Sequence, residues 1–239
     1  MCILSPTMIT QRLDKPLSSS VDKCIRKLSR KFHKWPYNFF TESDAHSYLY
    51  LSLFRYGKRA LKITYGTASD KDYPSQRTVL IHREYPTFFR YLQERPEQVF
   101  PLNGRRGVCG HYDLVVLSPF FVSKRNIQQV ISKDNKKRMQ NSGLKNHLIA
   151  AIEFKLLHKH LTKGLENEIR KDFAKLSWSL KKGQAREAYM LIFNRWGEEK
   201  SFRETLKKLQ AKYKHIKLVY QESYFKNKKH GSFIKPYWN

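Results

Sequence analysis

The octapeptide Leu148-Ile149-Ala150-Ala151-Ile152-Glu153-Phe154-Lys155 is the most informative segment of the chain. It is wholly apolar up to Ile152 and then places an acid and a base on either side of Phe154. Such a run is typical of a central strand covered on both faces. Because strand side chains alternate, Glu153 and Lys155 project from the same face. A charged pair at the end of a buried strand is costly, which favours a functional role.

A second strand, predicted over residues 112–117, places an acid in a similar way. Asp113 opens it, ahead of a run of four apolar residues. If the two strands are neighbours, Asp113 and Glu153 can share one hard cation through oxygen ligands. Phosphodiester hydrolysis uses such a cation, and Lys155 could orient the attacking water or offset transition-state charge. The alternative is a surface Glu-Lys pair beside an unrelated Asp, which occurs by chance.

The remaining periodic segments predict an α/β fold. Helical spacing is found at 20–33, 41–53, 165–180 and 202–213, and β-rich segments lie at 78–85, 188–193 and 216–220. Trp35-Pro36 is predicted to end the first helix and Pro86 the first strand, whereas Thr41 and Asp44 have the spacing of a capping box. This order fits a mixed central sheet flanked by helices, with an N-terminal helical extension.

The domain boundaries follow from the same pattern. Residues 1–17 contain Pro6 and Pro16 without a sustained period, so we expect an N-terminal arm. Residues 18–239 are predicted to form a single domain, interrupted by a basic insertion at about 120–146.

The charge of the chain points to a polyanionic partner. The 239 residues include 47 Lys+Arg against 20 Asp+Glu, a formal net charge of +27. Nucleic acid is the usual partner of so basic a protein, although a membrane surface or a ribosome would also fit. A hydrophobic content of 40% with 14% aromatic residues argues against wholesale disorder.

Cysteine content and hydropathy exclude several other classes. Cys2, Cys24 and Cys109 are widely spaced, with no CxxC and no paired histidines at zinc spacing, which argues against a disulfide framework and structural zinc. No apolar run approaches the roughly 18 residues of a membrane-spanning helix. A signal-peptide pattern is also missing, so the expected compartment is the cytoplasm.

The two predicted strands resemble a known family. Gly110-His111-Tyr112-Asp113-Leu114-Val115-Val116 and Ala151-Ile152-Glu153-Phe154-Lys155 are similar to the core of the PD-(D/E)xK, restriction-endonuclease-like superfamily. Residues 168–176 resemble the family's helix after the Glu-x-Lys strand, and 83–87 the segment before the Asp strand. The resemblance covers roughly 40–220. It departs from the family at Tyr112, which stands in place of proline, and in the long gap that contains the basic insertion.

The resemblance implies a set of site residues. Asp113 and Glu153 would be ligands of Mg²⁺ or Mn²⁺, and Lys155 the catalytic lysine. Glu42 would be the helical glutamate that the family often brings to its metal site, although an acid in a first helical turn is also favoured by the dipole. Glu84, at the end of the strand before Pro86, is the further candidate for the catalytic and metal-binding set.

Basic residues on both sides of the predicted site are candidates for phosphate contact. They are Arg105, Arg106, Lys124, Arg125, Lys133, Lys136, Lys137, Arg138 and Lys145. His158 and His160 follow the Glu-x-Lys strand and are expected on a solvated surface or at phosphates. Trp35, Tyr37, Phe39 and Phe40 could stack on splayed bases, but core packing is the expectation for them.

Together these patterns predict a metal-dependent nuclease, and specifically a DNA endonuclease in defence, mobile-element movement or repair. Two alternatives stay open: a non-catalytic nucleic-acid-binding subunit, and an RNA-directed nuclease. No recognition module is apparent, so a protein partner or the basic insertion would supply specificity. The oligomeric state is not readable, and a homodimer is compatible with the sequence.

Overall fold

A sheet of six strands organises the part of the chain that the computed structural model describes, namely residues 6–56, 62–64, 77–102, 104–123, 130, 146–157, 162–195 and 200–223. The elements are α1 (Pro6–Lys34), a 3₁₀ turn (Pro36–Asn38), α2 (Glu42–Tyr56), β1 (Lys62–Thr64), β2 (Arg77–Val79), β3 (Ile81–Tyr91), β4 (Val99–Pro101), β5 (Val108–Leu117), α3 (Pro119–Ser123), β6 (Leu148–Leu157), α4 (Lys163–Lys181), β7 (Ala185–Asn194), α5 (Lys200–Lys212) and β8 (Lys217–Glu222). The sheet has the order β4-β3-β5-β6-β7-β8, and β1 pairs with β2 separately.

The six-stranded sheet is mixed, which confirms the predicted α/β class. β5 is antiparallel to both β3 and β6, whereas β6, β7 and β8 run parallel. The parallel half follows from the two crossover helices, α4 and α5, since parallel neighbours need a connection that returns the chain to the same edge.

β6 lies inside the sheet, as its apolar run predicts. It pairs with β5 on one side and β7 on the other, and helices cover both of its faces. The ring of His46 on α2 packs against that of Phe154 in a tilted arrangement, with the ring centroids 4.4 Å apart. On the opposite face, Lys175 of α4 lies 2.8 Å from a carboxyl oxygen of Glu153.

β5 and β6 separate at one end, and this gap is called the β5–β6 fork below. Within the described residues their pairing runs from Leu117 opposite Leu148 to Leu114 opposite Ile152. β6 then continues along β7 to Leu157, while the earlier part of β5 stays paired with β3. The fork therefore opens at the Glu153–Lys155 end of β6.

The N-terminal helix is longer than its pattern predicts. Helix α1 begins at Pro6, so the predicted arm over residues 1–17 is helical from Pro6 onward. Pro16 lies inside the helix without ending it, and the apolar face continues back to Leu17, which is buried. Burial of that face against the sheet offsets the amide hydrogen bond that a proline removes.

The prediction that Pro86 ends a strand is wrong, because β3 continues to Tyr91. Proline is tolerated where it removes no ladder hydrogen bond, at edges and bulges. β4 pairs only with residues 89–91 of β3, and the register with β5 shifts between Pro86 and Arg90. The alternation of apolar and polar residues in the sequence does not reveal such a shift in register.

The predicted capping box of α2 is confirmed, and the end of α4 is also well defined. Asp44 Oδ2 accepts a hydrogen bond from the Thr41 amide at 2.8 Å, and Thr41 Oγ1 accepts one from the Asp44 amide at 3.3 Å, which is a capping box. At the end of α4, Gly183 has a φ of +63°, the left-handed conformation that glycine adopts most readily. The capping box sets where α2 starts, and therefore where Glu42 lies.

Candidate active site

Two carboxylates fill the β5–β6 fork. Asp113 Oδ2 accepts a hydrogen bond from the Phe154 amide at 2.7 Å, and Glu42 Oε1 accepts one from the Leu156 amide at 3.2 Å. Buried amides need an acceptor, and past Ile152 the pairing with β5 has ended. The side chains of Asp113 and Glu42 therefore take the place of strand carbonyls. The two strands are neighbours, which is the condition on which the expected cation site of Asp113 and Glu153 depends.

Glu42 reaches the fork from the first turn of α2. Burial raises the pKa of its carboxyl, and nearby Asp113 and Asp172 act in the same direction. Lys155 and the Leu156 amide oppose that shift without cancelling it. Glu42 is thus an acid held among other acids, at a point where a further positive charge would be stabilised.

Glu153 is the most deeply buried acid of the site, with 1% of its surface exposed. Burial raises the pKa of the carboxyl well above its ordinary value, although the Lys175 ammonium at 2.8 Å opposes the shift. Burial alone would lower the pKa of Lys175, but Glu153 and Asp172 more than offset it, so the net pKa is raised and the ammonium stays charged. Lys175 also donates a hydrogen bond to the His111 carbonyl at 2.8 Å.

Lys155 projects from the same face as Glu153, as the alternation of the strand predicts. Its ammonium lies 3.1 Å from Asp172 Oδ2, and the other oxygen of Asp172 lies 3.2 Å from Lys175. Desolvation opposes the charge of Lys155, yet Asp172, Glu42 and Asp113 outweigh it and raise its pKa. Asp172 therefore links the two lysines in one network on the α4 side.

The described cluster carries more negative than positive groups. It contains four carboxyls, from Glu42, Asp113, Glu153 and Asp172, and two ammonium groups, from Lys155 and Lys175. This surplus is notable in a chain whose net charge is +27. Burial strengthens the mutual repulsion of the acids, and a bound cation would relieve it.

His46 adds a neutral imidazole beside the acids. It lies one helical turn after Glu42 on α2, and its Nε2 is 3.8 Å from Asp113 Oδ2, beyond hydrogen-bond distance. Burial lowers the pKa of its ring, and Asp113 only partly compensates. Neither ring nitrogen has a hydrogen-bond partner among the described residues. An uncharged donor or acceptor is thus held next to Asp113.

The structure brings together four of the five predicted catalytic residues, namely Asp113, Glu153, Lys155 and Glu42. Glu84 does not join their network of ion pairs and hydrogen bonds. It is exposed on β3, between the residues paired with Leu114 and Tyr112, and its φ of +49° is uncommon for a residue with a side chain. Asp113 therefore has Glu84 across from it on the neighbouring strand but outside the cluster.

The predicted phosphate contacts are only partly described. Arg105 and Arg106 are exposed in the loop before β5. Because β5 and β6 are antiparallel, the loop before β5 lies at the end of the sheet where β6 ends. The fork opens at this same end. The candidates at Lys124, Arg125, Lys133, Lys136, Lys137, Arg138 and Lys145, and the histidines at 158 and 160, lie outside the described residues.

Sequence reasoning missed Asp172, Lys175 and His46. A signal was available for the first two, since both flank the buried stripe of α4 with one helical turn between them. Charged residues beside an apolar stripe at that spacing face the sheet with the stripe. His46 gives a weaker signal, because a lone histidine on the inner face of a helix is most often a core residue.

The predicted core role of the aromatic residues after α1 is confirmed only for Phe39. Phe39 is buried against Phe32 with their ring centroids 5.9 Å apart. Trp35, Tyr37 and Phe40 are exposed, so the expectation that they pack in the core is wrong. The 3₁₀ turn is buried through Pro36, with Phe39 buried directly after it, while the neighbouring aromatic side chains are exposed.

Comparison with known proteins leaves the site to be interpreted from its own geometry. Within the described ranges, no group of three or more His, Cys, Asp or Glu side chains could hold a metal ion. None of the described helices combines the length and apolarity needed to cross a membrane. No family model, no curated protein and no solved structure matches the chain.

Proposed function

We propose that the chain is a metal-dependent nuclease that hydrolyses phosphodiester bonds, and that DNA is its substrate in the cytoplasm. The observation that carries the proposal is the acid surplus in the β5–β6 fork. Four carboxyls converge on two lysines inside a strongly basic protein. Folding alone does not require that concentration of charge, whereas a cation and a phosphate both would use it.

The donor set fits a magnesium or manganese ion. Mg²⁺ is usually bound by one or two carboxylates together with waters and phosphate oxygens, so a complete protein cage is not needed. Asp113 is suited to this role because its side chain is 20% exposed and only Oδ2 is engaged by the Phe154 amide. One neighbouring acid, Glu153 or Glu42, would supply a second carboxylate, and waters and phosphate oxygens would complete the ligand set. The ion would supply electrophilic activation of the phosphate and a more acidic bound water.

The side chains around this position would divide the remaining work. Lys155 places a compact positive charge at the mouth of the fork, where it can stabilise charge on the phosphate oxygens as the bond breaks. Lys175 keeps Glu153 in place through their ion pair, so it is a positioning residue. His46, with both ring nitrogens unbonded within the described chain, can hold a water beside Asp113.

Surface charge and fold support the same proposal. Arg105 and Arg106 lie at the fork edge, where they can contact the backbone of a bound strand. The mixed sheet flanked by helices and the helix that follows β6 agree with a restriction-endonuclease-like fold. Sequence preference would come from the basic insertion or from a protein partner.

A second candidate is a nucleic-acid-binding subunit without catalytic activity. One observation favours it: Glu153 is almost fully buried and already neutralised by Lys175. In such a protein the acids and lysines of the fork would form a closed structural network.

Nicking of supercoiled plasmid in the presence of Mg²⁺, and loss of nicking in excess chelator, are the results expected of the nuclease. Cleavage of a single-stranded DNA and of an RNA with the same sequence, measured under the same conditions, separates a DNA enzyme from an RNA enzyme. Electrophoretic mobility shifts in chelator measure binding alone. Binding without any nicking, across Mg²⁺ and Mn²⁺, would favour the non-catalytic subunit.

Lys155→Ala is expected to lower the single-turnover cleavage rate about a hundredfold at saturating enzyme, while DNA affinity stays nearly constant. The reason is that its ammonium would act on charge that develops only in the transition state. Lys155→Arg should rescue little, since a planar guanidinium cannot place its charge at the same point. Lys163→Ala, at the exposed start of α4, is the matched control. Weaker binding with an unchanged rate would make Lys155 a simple phosphate anchor.

A further inference from the structure

Three aromatic side chains are exposed together in the turn between α1 and α2. Trp35, Tyr37 and Phe40 have 48%, 58% and 70% of their surface exposed. With Arg195 they form what is called the aromatic platform below. Large aromatic faces lose favourable burial when they are left in water, so a cluster of them marks a place where something binds.

Cations are held against these rings. The Arg195 guanidinium lies 5.7 Å from the ring centroid of Tyr37 and 5.8 Å from that of Phe40. Lys34 lies 5.3 Å from the ring of Trp35. Arg195 is anchored through its side chain, which donates a hydrogen bond to the Pro36 carbonyl at 3.5 Å. The platform thus combines flat apolar faces with fixed positive charge.

The platform borders the β5–β6 fork. The Arg195 amide donates a hydrogen bond to the Leu157 carbonyl at 3.1 Å, at the end of β6. The preceding residue of that strand, Leu156, donates its amide to Glu42. Phe40 precedes Glu42 by two residues. One short stretch of backbone therefore joins the platform to the candidate catalytic acids.

We infer that the aromatic platform stacks an unpaired base of the nucleic-acid strand whose backbone lies in the fork, an inference that rests on the nucleic-acid binding of the proposed function. Aromatic rings beside arginine are well suited to this ligand, because the rings take the base and the cation attracts the phosphate. A duplex keeps its bases paired and offers no free face. The platform therefore fits single-stranded or splayed nucleic acid next to the bond to be cut.

A fluorescent base tests the stacking directly. Wild type is mixed in chelator with a short single-stranded oligothymidylate that contains one 2-aminopurine, whose fluorescence is quenched when it stacks. Phe40→Ala should remove the quenching and weaken binding about tenfold, whereas Phe40→Trp should keep both. Leu51→Ala is the matched control, because Leu51 is 50% exposed in the second half of α2. Circular dichroism checks that the variants are folded.

The outcomes separate this inference from the proposed function. Quenching that Phe40→Ala leaves intact, or a wild type that does not bind the oligonucleotide, overturns the platform. Loss of self-association in Phe40→Ala without a change in quenching would instead assign the platform to a second copy of the chain. Because chelator prevents cleavage, the quenching result does not depend on nuclease activity. An absence of Mg²⁺-dependent nicking would therefore contradict the proposed nuclease and leave the quenching result valid.

Discussion

Asp113→Asn should reduce cleavage by about a thousandfold or more, while the folded state and DNA binding in chelator persist. Loss of a metal ligand removes several kcal/mol of transition-state stabilisation, and about 4 kcal/mol corresponds to three factors of ten. Asparagine keeps an oxygen that can accept the Phe154 amide, so the closure of the fork is retained. Removing the carboxylate charge also lowers repulsion toward phosphate, so affinity in chelator should stay equal or increase.

The measurement is single-turnover nicking with saturating enzyme and Mg²⁺, alongside a thermal melt of each variant. Glu204→Gln removes an exposed carboxyl from α5 and is the matched control for net charge. Full cleavage by folded Asp113→Asn would remove the fork from consideration as the catalytic centre. A variant that fails to cut because it is unfolded is recognised by its melt.

The sequence predicts most strands of the sheet and the positions of Asp113, Glu153 and Lys155 on them. The apolar runs before Glu153 and after Asp113 identify two buried strands, and alternation places Lys155 beside Glu153. Those inferences need only the alternation of side chains along a strand, which can be counted in the sequence and is the same in the folded protein. The Thr41–Asp44 capping box similarly locates the start of α2.

The β5–β6 fork itself could not be predicted. The sequence leaves open whether β5 and β6 are neighbours, and it gives no indication that their register ends at Leu114 and Ile152. The position where two strands separate depends on how each pairs with its other neighbour. Only with that separation do the Phe154 and Leu156 amides need Asp113 and Glu42 as acceptors.

The partners on α4 escaped prediction for a different physical reason. Asp172 and Lys175 flank the apolar stripe of α4, which turns them toward the sheet but does not say whether a partner there allows them to be buried. Burial of a charge depends on a tertiary partner, and the partners Glu153 and Lys155 lie on another element. The exposed Phe40 is the converse case, an apolar residue that the fold leaves in water.

Lys175→Met should lower the free energy of unfolding by about 3 kcal/mol, measured by urea denaturation in metal-free buffer. The replacement conserves much of the side-chain volume but leaves Glu153 buried without its nearest cation. Breaking one partner of a buried ion pair costs far more than an exposed pair contributes. Lys181→Met, at the exposed end of α4, should change stability by less than about 0.5 kcal/mol.

The pH dependence of Lys175→Met identifies the cause of that loss. Burial already raises the pKa of Glu153, and removal of the ammonium that opposes this shift should raise it further. The folded variant would then hold a proton that the unfolded chain releases, so its stability should fall as pH rises above the ordinary glutamate pKa. Adding Glu153→Gln removes the titrating group, so the double variant should recover most of the stability and lose this slope. If both variants showed the same pH profile, the loss would come from packing around Lys175 and not from an uncompensated charge on Glu153.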